Sequence, residues 1–111
     1  MILKQDFPPI KQGADFSAYL PISSTTVDLT TCDFYCEIRR FSGAPLLAKV
    51  SVNYASGRLN FSIPHSVTAN LPQTSGNNQW KYDLFVQLDG GERICLAAGS
   101  VLVDPQITEF S

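Results

Sequence analysis

The sequence predicts an all-β domain: an antiparallel β-sandwich of about seven strands with one short helical turn. Two observations carry this. Apolar and polar residues alternate with a period of two through several short segments, the pattern of half-buried strands. Short polar stretches rich in Gly, Pro and Ser separate those segments, and no long helical period, heptad or low-complexity tract interrupts them. A small closed barrel is the main alternative.

The stretch Trp80–Pro105 organises the rest. Tyr82, Leu84, Val86 and Leu88 share one face of a strand, with Asp83, Phe85 and Gln87 on the other. Asp89-Gly90-Gly91 is a turn signal. The return strand places Ile94, Leu96 and Ala98 on one face. After Gly99 the apolar set shifts to Val101 and Val103, which predicts a bulge at that glycine. Pro105 ends the pairing, because it lacks a donor.

From the N-terminus, Phe7-Pro8-Pro9-Ile10 has prolines that favour extended polyproline geometry and block strand pairing. The segment 1–13 therefore reads as an arm, either lying across one end of the sandwich or docking on a neighbour. Ala14–Ile22 alternates Phe16, Ala18, Leu20 and Ile22 against Asp15, Ser17 and Tyr19, and Pro21 confines it to an edge or ends it early. After the polar Ser23–Thr26, Val27–Thr30 opens the next element. In Cys32–Phe41, Phe34, Cys36 and Ile38 suit a core, with Arg40 emerging at the end. Asp33, Tyr35, Glu37, Arg39 and Phe41 suit a solvent face with an aromatic ladder, and Glu37 and Arg39 form a surface pair.

Ser42–Pro45 turns the chain. Leu46, Ala48, Val50 and Val52 then alternate with Leu47, Lys49, Ser51 and Asn53. Ala55-Ser56-Gly57 is a hairpin loop, and Leu59, Phe61 and Ile63 form the inner face of the return. Pro64–Leu71 is the one helical turn, started by Pro64 and stopped by Pro72, and Gln73–Gln79 is a loop. The expected organisation is an arm over 1–13, a sandwich over 14–105 and a tail over 106–111.

The chain has 111 residues, a length suited to one domain with one core. Charged residues make up only 16% of it, below the usual quarter, which favours contact with other proteins. A net charge of −2 argues against nucleic acid, and the only basic pair, Arg39-Arg40, points to opposite faces of a strand. No apolar run approaches a membrane span and the N-terminus has no signal-peptide pattern, so a cytosolic site of synthesis is expected.

The residues point away from catalysis. Cys32, Cys36 and Cys95 are odd in number, and the first two lie about 13 Å apart if on one strand, too far to bridge. They read as free thiols, with no metal-site spacing to include His65. That single histidine reads as a capping or surface residue. Of the seven aspartates, Asp28, Asp89 and Asp104 fall at turns or strand ends and Asp15, Asp33 and Asp83 on polar strand faces, and no phosphate-loop, nucleophile-elbow or zinc-protease motif is present. The expectation is no enzyme, no cofactor and no metal. Trp80, Tyr82, Tyr35 and Tyr54 form a glycan platform only if they share one surface; core packing and sheet ladders are the favoured reading.

Four segments, KQGADFSAYLPI (11–22), VDLTTCDFYCEIRR (27–40), GRLNFSIPHSVTANLP (57–72) and WKYDLFVQLDGGERICLAAGSVLVDPQIT (80–108), resemble in this order small bacteriophage and prophage proteins of the tail and baseplate. They are similar to the immunoglobulin-like N-terminal domains of baseplate upper proteins and fibre adaptors. One residue is inserted in Gln12-Gly13-Ala14-Asp15-Phe16 relative to that family's QGD-F, and Thr31 stands where its DLTG has glycine. The resemblance implies an immunoglobulin-like sandwich and a virion structural role, an adaptor in a symmetric multi-copy assembly of other phage proteins, and it carries no catalytic residue. A carbohydrate- or receptor-binding module and a capsid decoration protein are the alternatives. Under the adaptor reading the expected partner-binding residues are Phe7, Pro8, Pro9 and Ile10 in the arm and Ile107 and Phe110 in the tail.

Overall fold

A computed structural model describes residues 3–22, 28–74 and 79–107. Among the described residues nine strands run in chain order: β1 (Leu3–Lys4), β2 (Ile10–Lys11), β3 (Phe16–Pro21), β4 (Asp33–Arg39), β5 (Leu46–Ala55), β6 (Arg58–Ile63), β7 (Trp80–Gln87), β8 (Arg93–Val101) and β9 (Val103–Asp104). One 3-10 turn, Leu29–Thr31, precedes β4, and one short helix, α1 (His65–Thr68), follows β6. The turn Ser23–Thr26 with Val27, positions 75–78 of the expected loop and 108–111 of the expected tail lie outside the described residues.

The expected sandwich is present. Seven strands hydrogen-bond in the order β1-β8-β7-β4-β5-β6-β3, and β2 pairs separately with β9. The ten-residue strand β5 makes two layers of this one curled sheet. Its first half pairs with β4, up to Val50 opposite Cys36, and its second half pairs with β6, from Ser51 opposite Ser62. A register shift on β5 opposite Ile38 and Arg39 leaves Leu47 unpaired, a bulge that bends the strand near the changeover. A two-residue turn links β5 to β6. Ser56 (φ +56°) and Gly57 (φ +76°) both take left-handed backbone, as a type I′ hairpin turn requires.

The predicted inner faces match the core. Cys36, Ile38, Ala48, Val50, Leu59, Phe61, Ile63, Tyr82, Leu84 and Val86 are all buried. Pairing only with β6, β3 is an edge strand. In α1, Pro64 stands just ahead of the helix rather than inside it, Leu71 is buried, and the Thr68 hydroxyl donates to the Ala14 carbonyl at 2.8 Å.

The phase shift in β8 falls elsewhere than expected. Cys95 opposes Phe85 and Ala97 opposes Leu84, so Leu96 is the extra residue and Ala97, Gly99, Val101 and Val103 share the inner side. Gly99 has a different cause. The N-terminal segment runs parallel to β8, with Gln5 N–H donating to the Ala98 carbonyl at 3.0 Å and Phe7 N–H to that of Ser100 at 3.1 Å. A Cβ on Gly99 would collide with the Gln5 carbonyl and press on the Tyr82 ring.

Gly99→Ala is expected to lower stability by about 2 kcal/mol through this overpacking. Gly90→Ala, in open space at the hairpin tip, should stay within about 0.5 kcal/mol of the parent. Denaturant midpoints of the two variants against the parent measure both.

Candidate functional site

Among the described residues, the terminal positions expected to bind a partner are divided between core and surface. Phe7 and Ile10 are buried. The Phe7 ring stacks on Tyr82 with centroids 3.9 Å apart and lies 5.5 Å from both Phe16 and Phe61. Ile10 pairs with Val103, and its N–H donates to the Leu102 carbonyl at 2.8 Å. Of the two readings of 1–13, a segment lying on the sandwich or a docking arm, the burial of Phe7 and Ile10 fits the first. Parallel pairing of β1 with β8 and of β2 with β9 makes the segment a strand of the domain, and of the four arm residues only Pro8 and Pro9 face solvent. The prolines interrupt the pairing between Phe7 and Ile10, and bonds from Gln5 and Phe7 before them and Ile10 and Gln12 after them hold the segment to its neighbours. Ile107 is 85% exposed, and Phe110 lies outside the described residues.

The four aromatics weighed as a glycan platform are dispersed. Tyr82 is buried and its hydroxyl donates to the Gln5 carbonyl, with burial pushing the phenol up to about 12. Trp80 donates its indole N–H to the Pro72 carbonyl at 2.7 Å, under the Arg40 guanidinium. Tyr54 is half-buried on β5, and only Tyr35 is well exposed.

Titratable groups are placed for structure. The Asp15 carboxylate accepts the His65 backbone N–H at 2.7 Å and meets His65 Nδ1 at 2.9 Å. It thus caps α1 from the foot of β3, and the backbone hydrogen bond holds its pKa below the ordinary 3.8. The Cys36 thiol is pushed up to about 12 by burial, so it stays protonated and unreactive at neutral pH. The three cysteines are free thiols. Among the described residues no three His, Cys, Asp or Glu side chains gather as metal ligands, and no helix is long and apolar enough to cross a membrane.

What the fold leaves open is a sheet face. On the outer side of β4, β7 and β8, Tyr35, Lys81 and Asp83 are exposed. Tyr35 (49% exposed) opposes Phe85 there, with Arg93 beside them. Phe41 (62%) and Leu46 (41%) stand toward the other end of the strands. Between these aromatics lies a shallow hollow of about 550 Å³, walled by Glu37, Arg39, Lys81 and Asp83. Arg39 ties the face to the turn that follows β4, donating to the Ala44 carbonyl at 2.6 Å and to Glu37 Oε1 at 2.8 Å. The alternation of Asp33–Phe41 signals this ladder, but the contributions of Leu46 and Phe85 depend on which strands become neighbours.

No family model and no curated protein matches the chain. Among solved structures it is similar to a candidate glycoside hydrolase from Bacteroides vulgatus ATCC 8482, at a TM-score of 0.45 and 12% identity over 90% of this chain. The chain spans 17% of that protein's length, and nothing of that protein's activity is carried over.

Removing residues 1–10 is expected to unfold the domain, and Phe7→Ala to cost about 3 kcal/mol, both read by circular dichroism and denaturant titration. Asp15 stabilises the fold at neutral pH. Because its folded pKa lies below the unfolded one, that contribution is complete above the ordinary carboxylate range and is lost as pH falls through the folded value. The stability gap between the parent and Asp15→Asn should therefore close on acidification below about pH 4.

Proposed function

We propose that this chain is a non-enzymatic structural protein of a bacteriophage virion, an adaptor between neighbouring subunits in the tail, baseplate or fibre-junction region. The observation that carries the reading is the uncovered face with Tyr35, Phe41 and Leu46 exposed in one small domain. Monomeric domains normally keep large aromatics off a flat surface unless something docks there. The order of the four tail-like segments points the same way. In this reading the domain works by shape and surface complementarity, with weak contacts multiplied by the symmetry of the particle.

Particle stoichiometry tests it. In particles purified from the phage or prophage that encodes the chain, quantitative mass spectrometry should count it in small multiples of three or six per particle. A count near that of the major capsid protein would replace the adaptor reading with capsid decoration, and absence from particles would sink both.

A further inference from the structure

The uncovered face carries a charge pattern that is self-complementary. Three of its strand segments each hold opposite charges two residues apart and hence on the same side. These are Lys4 and Asp6 on β1 and its extension, Glu37 and Arg39 on β4, and Lys81 and Asp83 on β7. Register aligns these into two rows. Lys49, Glu37, Asp83, Ala98 and Lys4 are successive cross-strand neighbours. Two residues further along, the second row holds Leu46, Arg39, Lys81 and Ser100, with Asp6 accepting the Ser100 N–H at 2.8 Å.

Within one chain this arrangement is unfavourable at its centre. Glu37 directly opposes Asp83, and Arg39 directly opposes Lys81, so like charges face each other across the strands. Of the three pairs only Glu37–Arg39 closes as an ion pair in the chain, at 2.8 Å among the described residues. Lys81 instead donates to the Ser100 hydroxyl at 2.9 Å.

We infer that the outer face of β4, β7 and β8 docks on the same face of a second copy of this chain. A two-fold axis lying in the interface, across the strands and midway between the two rows, sets each row of one copy on the other row of its mate. Glu37 then meets Arg39, Asp83 meets Lys81, and Lys4 meets Asp6, so every like-charge neighbour gains an opposite charge overhead. The same operation brings Tyr35 toward the end of the face where Phe41, two residues after Arg39, opens the turn that follows β4. Strands of the two copies run antiparallel, as in aligned sheet packing about 10 Å apart. Sheet twist keeps the match closest over β4 and β7. The three strands β4, β7 and β8, about 4.8 Å apart and about eight residues long, cover roughly 400 Å² per copy in projection. That lies below the standard size of a specific interface and fits a weak, salt-sensitive dimer.

The inference does not rest on the virion reading, and sedimentation of the full chain tests it without particles. The parent should dimerise with rising concentration. Lys81→Asp makes β7 wholly acidic at the contact and Asp83→Lys makes it wholly basic. Each alone is expected to raise the dissociation constant by about tenfold or more. Mixed together, the two variants should associate, because the acidic β7 of one then lies over the basic β7 of the other. Both positions are exposed, so folding of each variant is checked by circular dichroism and expected to be unchanged. A parent that stays monomeric, a single variant that dimerises like the parent, or a mixture that fails to associate would each overturn the inference.

Discussion

The structure depends on Phe7. Its ring lies between the two layers of the curled sheet, stacked on Tyr82 from one and packed against Phe16 and Phe61 from the other. A seven-stranded sheet that folds over on one long strand is held shut at that strand but open at its far edges, β1 and β3. The N-terminal segment closes this opening. Its backbone is anchored to β8 and β9, and its one aromatic side chain fills the gap. Burying a Phe contributes roughly 2–3 kcal/mol, a large share of what keeps a domain of this size folded.

That closure accounts for residues far apart in sequence. Gly99 lacks a side chain because the Gln5 carbonyl occupies the place of its Cβ. Tyr82 keeps a buried hydroxyl satisfied by donating to the same carbonyl. Gln12 and Gln106 clasp where the segment turns into β3, Gln12 Oε1 accepting the Gln106 N–H at 3.2 Å. Asp15 and Thr68 then fix α1 over that end of the sandwich, one by capping the helix and the other by bonding the Ala14 carbonyl.

With the N-terminal segment spent on closing the core, the outer face of β4, β7 and β8 is one surface left for contact, and the outer side of β3, β5 and β6, with Tyr19 61% exposed, is another. In the two proposals above, the exposed aromatic area of the β4, β7 and β8 face supplies affinity and its fixed charges set register. The adaptor proposal and the two-fold pairing draw on this one face, but differently. The first uses its exposed aromatics, the second the strand-by-strand order of its charges.

By itself the sequence determined the layers. Alternation specified the strands and inner faces, since a period-two pattern has one way to hide its apolar half, and Gly and Pro placed the turns. Tyr35, Glu37, Arg39 and Phe41 were legible as one solvent-facing ladder for the same reason. Tertiary structure decided the rest. Parallel pairing with β8 is a contact between chain ends, and no local pattern encodes it, so Phe7 and Ile10 read as an arm although they are core. The bulge at Leu96 was read at Gly99 because a strand glycine signals either a kink or a close backbone approach, and only the position of Gln5 separates them. The two charged rows likewise exist only once β4, β7, β8 and β1 are neighbours: register, which depends on the partner strand, turns three separate charge pairs into one surface.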